Sequence, residues 1–169
     1  MTRTYTLPAA RALAFLRVVT GLGLLLAAYG KLTMFKVGGV VPLPVVALHW
    51  QVELPTRLAA WLAQHPSGMW TAIVRDLLLP HGALVAALIA WSQVLAGVLL
   101  LLGLRTRLAA TLGVLVSVAL ALAAGWRDPG DVRPYLMQVM LCVALLIGGA
   151  GDTLGLDGWR RERRRDREL

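Results

Sequence analysis

Six residues that could handle a charged substrate stand near the boundaries of long apolar runs: Lys31, His81, Arg127, Arg133, Tyr135 and Gln138. If those boundaries share one side of a membrane, the six could form a cationic, hydrogen-bonding pocket facing outward. Such a pocket suits a small dianion, because Lys and Arg stabilise it without losing their own charge. His81 could exchange protons near neutral pH, so Lys31 and His81 form the candidate catalytic pair. Anchoring at a membrane–water boundary accounts for the same residues. That reading prevails for Arg127 and Arg133, which flank a polar turn, RDPGDVR, that needs no further reason. For Lys31 and His81 both readings stand.

A second polar group, Trp91, Ser92 and Gln93, interrupts an otherwise apolar stretch near its middle. An amide and a hydroxyl at that depth can hydrogen-bond a ligand, with Trp91 flanking it. They can equally bind one helix to the next, for about 0.6–2 kcal/mol. The second role is favoured, and one site can serve both. His49, His65 and His81 have irregular spacing and no accompanying carboxylate cluster, so no metal site is expected. The single cysteine, Cys142, excludes an intramolecular disulfide and a CxxC redox pair; inside an apolar run it serves packing. No flavin, haem or iron–sulfur motif is present.

These residues must be positioned by membrane-spanning helices. Of the 169 residues, 58% are hydrophobic and 15% charged, far more apolar than a soluble domain. The formal charge of +8 is no sign of nucleic acid, because the basic residues cluster at the ends of apolar runs and in the tail. One membrane domain over 1–169 is expected, with spans at about 12–35, 80–103, 106–126 and 132–150. The first is too long for a signal peptide and lacks a small-residue cleavage site. Its Arg17 can snorkel to the nearer headgroups, and Gly21 and Gly23 offer small surfaces for close packing against the third span.

Gly103 marks the exit of the second span, with Arg105 and Arg107 as anchors. The long connection between the first two spans carries an amphipathic stretch, Pro55 to His65, that reads as a helix lying on the membrane. A second amphipathic piece follows from Gly68 to Leu79. The fold class is therefore all-α integral membrane, a four-helix bundle with an interfacial helix in its long first outer loop.

Four spans put both termini on one side. That side holds eleven of the 17 Lys and Arg residues, six of them in the charged tail 159–169. The bias places the N- and C-termini in the cytoplasm.

The chain resembles the DoxX/DoxD family of small four-helix prokaryotic membrane proteins. The resemblance rests on Arg17 before the Gly21/Gly23 helix, Lys31–Leu32 at its end, and LLLPHGAL at 77–84. It continues through AWSQVLAGVLLLLGLRTRLAA at 90–110 and GDTLGLDGW at 151–159. Gln93 stands where the family typically has a glutamate, and Ala28 where it usually has a glycine; an amide cannot titrate, so proton relay by that side chain is not expected. The resemblance implies the inner membrane and a membrane subunit that oxidises thiosulfate to tetrathionate with quinone as acceptor, bound at Trp91, Ser92 and Gln93. It also implies a second oxidoreductase subunit, or a homo-oligomer, as partner. The alternative it implies is a non-catalytic membrane partner in a redox or oxidative-stress complex.

Overall fold

The structure, a computed structural model, describes residues 7–37, 41–63, 65, 67–124 and 129–149. The tail 159–169, the GDTLGLDGW stretch and Arg127 lie outside them.

Three helices are long and apolar enough to cross a membrane: α1 (Leu7–Tyr29), α4 (Gly82–Leu102) and α5 (Thr106–Ala124). The last helix, α6 (Pro129–Gly148), carries a shorter apolar stretch, Val132–Gly148. Alpha1 packs on α4, α4 on α5, α5 on α6, and α6 back on α1. The turn between α4 and α5 is short because Gly103 takes the left-handed conformation, φ 64°, and ends the helix. The Leu104 N–H then reaches back to the Leu99 carbonyl at 3.0 Å, closing the last turn.

This arrangement corrects the expected packing of the first span. Its close contact is with the second, not the third. A Cβ on Gly21 would stand 3.0 Å from the Gly97 carbonyl oxygen, and one on Gly97 3.0 Å from that of Gly21. Two glycines facing each other let the backbones approach where lipid supplies no hydrophobic drive for association. Gly23 turns towards α6 instead, 3.7 Å from Gln138 Oε1 by the same measure.

Arg17 does not snorkel to lipid headgroups. It lies on the face of α1 that also carries Thr20, Gly21, Leu24 and Ala28, and only 4% of it is exposed. Helical spacing puts all five on one stripe, and that stripe faces the bundle.

The fold is mostly helical, as the expected all-α membrane class requires, with one small hairpin added. Strands β1 (Leu32–Val37) and β2 (Val41–Val46) pair antiparallel, and α1 ends at Tyr29 rather than running on to Phe35. Pro42 faces Lys36 and Pro44 faces Met34 in the register. Both prolines therefore fall on alternate residues, where the ladder needs no N–H from them.

The amphipathic helix also differs from its expected form. Helix α2 covers Leu48–Leu62, with Pro55 inside it rather than at its start. Its apolar stripe, Trp50, Leu54, Leu58 and Trp61, is buried against α4 and α5, not laid on lipid. Close approach is possible because Gly82 opens α4: a Cβ there would meet Pro55 Cγ at 2.5 Å. A short helix, α3 (Gly68–Ile73), runs into a π-helical turn, Val74–Leu78, marked by the bond from the Leu79 N–H to the Val74 carbonyl at 2.9 Å. Such turns carry one extra residue and often sit beside functional sites. Together α2, α3 and this turn cap one end of the bundle.

Candidate functional site

Lys31 sits at the junction of α1 with this cap. Its backbone N–H bonds the Ala28 carbonyl at 2.9 Å, and its own carbonyl accepts from the Ala47 N–H at 2.9 Å. The ammonium donates to the Ala27 carbonyl and stands 5.0 Å from the centre of the Trp50 ring. Trp50 in turn donates its indole N–H to the Ala86 carbonyl of α4 at 3.2 Å. One aromatic ring thus ties the end of α1, α2 and the start of α4 together. His49 adds a second tie, 3.0 Å from the Gly30 carbonyl.

Burial pushes the Lys31 ammonium down from 10.5 to about 8, and the positive charge of Arg57 adds to the shift. Arg57 is itself held by Glu53, one turn earlier on the exposed face of α2, with Nε 3.0 Å from Oε1. Lys31 and Arg57 are like charges facing the same neighbourhood, an arrangement a bound anion would relieve. Arg57 carries no motif and was not among the expected site residues; only the folding of α2 back over α1 brings it near.

The other expected members of the outer pocket have surroundings of their own. His81 is exposed and bonds the Leu77 carbonyl through Nδ1 at 3.0 Å, which requires the proton on that nitrogen. It makes no hydrogen bond to Lys31. Arg133 is exposed as well. Tyr135 is half-buried and packs against the cluster that contains Trp50, so it borders the same region as Lys31. Gln138 faces the interior, 3.6 Å from Cys142 Sγ. Among the described residues, His81 and Gln138 thus take hydrogen-bond partners four residues away in their own segments, and Lys31 takes its own at Ala27.

Trp91, Ser92 and Gln93 also part company, because successive residues on a helix point about 100° apart. Trp91 is 43% exposed on the outer surface of the bundle. Gln93 is buried, 5% exposed, and its Oε1 has no hydrogen-bond partner. An unmet buried acceptor costs about 1–3 kcal/mol, so Gln93 does not act as satisfied glue through that oxygen. Ser92 lines a cavity, and its hydroxyl donates to the Ile89 carbonyl at 2.9 Å.

That cavity is a groove of about 390 Å³ between α4 and α5, within the size range of small-molecule sites. Val85, Ile89, Val116 and Ala119 form its walls, and Leu58, Trp70 and Leu78 of the cap close its end. The indole N–H of Trp70 is buried without a hydrogen-bond partner. The lining is almost wholly apolar and fits an apolar ligand. Among the described residues, no three His, Cys, Asp or Glu converge as metal ligands.

A family model described as the TQO small subunit DoxD matches residues 55–167. The chain belongs to the DoxD family. No curated protein and no solved structure matches it. The region shared with the DoxD family starts at Pro55, inside α2. It includes Arg57, the whole groove, His81 and the Trp91–Gln93 stretch, and leaves out α1 with Lys31 and Trp50. The groove is thus built from the part of the chain that the DoxD family defines.

Proposed function

We propose that the chain is the small membrane subunit of a thiosulfate:quinone oxidoreductase, and the family match over 55–167 is the observation that carries this reading. Two thiosulfates lose one electron each and join through a new S–S bond to give tetrathionate. The two electrons, with two protons, reduce one quinone to quinol, which is the only redox chemistry the acceptor supplies. On this reading four helices cross the inner membrane of a prokaryote and both termini are cytoplasmic. The cap of β1, β2, α2 and α3 then faces outward, with Lys31 and Arg57 near its surface to hold the dianion. Partner subunit and electron route follow from the family name and from the lack of any flavin, haem or iron–sulfur motif in the sequence.

A second reading, in which the chain positions a catalytic partner and does not itself bind the anion, is favoured by His81, whose Nδ1 is engaged by the Leu77 carbonyl. Thiosulfate-dependent quinone reduction separates the two. Activity of the purified chain, alone or with the larger subunit, that falls at least tenfold in Lys31→Met supports direct anion binding. Full activity of the complex with that variant supports the positioning role, and no activity in either preparation defeats the oxidoreductase.

The orientation has its own test. Cys142 is buried against Gly113, where a Cβ would meet its Sγ at 2.7 Å, so Cys142→Ala gives a background without reactive thiols. In it, Met69→Cys and Arg107→Cys place thiols at exposed positions on opposite ends of the bundle. An impermeant maleimide added to intact cells is expected to label position 69 and spare position 107. The reverse pattern would invert the topology.

A further inference from the structure

We infer that the β1–β2 hairpin docks on lipid, lying in the membrane boundary at the cap end with Phe35, Leu43 and Val45 inserted among the upper acyl chains. This needs only that α1 crosses the membrane, and it stands apart from the oxidoreductase reading. Across the ladder Phe35 pairs with Leu43 and Thr33 with Val45, so these four share one face, while Met34 and Pro44 share the other. All six are exposed, Phe35 by 58% and Met34 by 67%, and Thr33 is the one polar residue among them. A hairpin standing in water keeps one face polar. Here neither face is, and Lys36 is the only Lys, Arg, Asp or Glu from Leu32 to Val52.

Length sets the depth. Arg11, exposed near the start of α1, anchors the opposite boundary. From Arg11 to Tyr29 the helix rises about 27 Å, short of the ~30 Å hydrocarbon core, so β1 begins while the chain is still at the lipid surface. The lipid-facing side of α1, with exposed Leu22, Leu26 and Tyr29, leads up to it. The hairpin root is held by the bond from the Ala47 N–H to the Lys31 carbonyl and by burial of Ala47 in the core under α2. The competing occupant is another protein, a partner or a second copy, adding a strand. On β2 the outward positions are Pro42, Pro44 and Val46; two have no N–H, and the Val46 carbonyl accepts from Gln51 Nε2 at 3.1 Å. That edge is closed to a strand. The β1 edge keeps outward N–H groups at Leu32, Met34 and Lys36, and at this depth phosphate and ester oxygens supply their acceptors. Deeper in hydrocarbon they would go unmet, which holds the hairpin at the boundary. The interfacial element expected at 55–65 is therefore the hairpin, because α2 spends its apolar stripe on α4 and α5.

Power-saturation spin-label spectroscopy tests this on the full chain in phosphatidylethanolamine–phosphatidylglycerol liposomes, with oxygen and a water-soluble nickel chelate as relaxants. In the Cys142→Ala background, labels at Phe35→Cys and Leu43→Cys are expected about 5–10 Å below the phosphates, with oxygen favoured over the chelate. A label at Met34→Cys, on the other face, should lie shallower, and one at Leu26→Cys, on the lipid-facing side of α1, deeper. Chelate access at 35 and 43 equal to that of oxygen would put the hairpin in water and overturn the proposal. Exclusion of both relaxants from those positions would mean that a partner protein covers the hairpin. Line broadening that disappears on dilution with unlabelled protein would mean that a second copy does, and either result overturns lipid as the occupant. A Met34 label as deep as the Phe35 label would overturn the assignment of the inserted face.

Discussion

Gly97→Leu is expected to force α1 away from α4 and to destabilise the protein by about 3 kcal/mol, the upper part of the range for overpacking a close interface. The cause is backbone against backbone. A Cβ at Gly97 would stand 3.0 Å from the Gly21 carbonyl oxygen and 2.8 Å from Leu25 Cγ. Leu25 can rotate, but the Gly21 carbonyl belongs to a hydrogen-bonded helix and cannot yield without moving α1. Water offers no hydrophobic force to press the helices together within lipid, so packing contacts of this kind carry much of their association. Gly97→Ala should cost about 1 kcal/mol, because one methyl needs a smaller shift. Gly30→Ala is the control, since nothing lies within 4 Å of the added Cβ. Unfolding midpoints in mixed micelles would rank the three variants. A Gly97→Leu protein as stable as Gly30→Ala would show that the contact is not tight.

The second large effect is expected at Lys31. Its ammonium titrates at about 8 because burial and Arg57 disfavour the charged form. Anion binding needs that charge, so the apparent KM for thiosulfate should rise as pH passes through about 8. Lys31→Met should raise it at least tenfold at pH 7 and remove the dependence, whereas Lys31→Arg should hold it flat to higher pH. Stability moves the other way. The unfolded chain titrates near 10.5 and so binds more protons than the folded chain between about 8 and 10.5. Wild-type stability should therefore increase with pH across that window, by on the order of 1–2 kcal/mol after allowance for solvent screening. Lys31→Met should abolish that increase. A KM that ignores both pH and the Lys31→Met substitution would leave Lys31 as a membrane anchor. His81→Asn, at an exposed side chain bonded only to Leu77 among the described residues, is expected to change KM less than threefold.

What the sequence by itself determined is the set of apolar segments and where they stop. Length and hydropathy place α4 and α5 within two residues of expectation, and Gly103 marks the exit of α4 because a left-handed residue is cheapest as glycine. The ordered pieces at 77–84 and 90–110 were enough to indicate the DoxD family. Partners across space were not legible. Gly21 announces a close contact, yet only the packed bundle shows that the partner is Gly97 on α4, because small residues also line α5.

Direction was lost in the same way. Trp91, Ser92 and Gln93 are neighbours in sequence, and helical geometry sends one to the lipid-facing surface, one to a groove and one to the core. Pro55 reads as a helix start, since proline favours the first turn; burial of Trp50 and Leu54 extends α2 seven residues before it. Arg17 reads as a snorkelling residue from its depth alone, and tertiary packing turned it inward. Local sequence reports what a residue can tolerate. The environment of Lys31, with Trp50 beneath it and Arg57 nearby, exists only because α2 folds back over the end of α1, and no local pattern encodes that return.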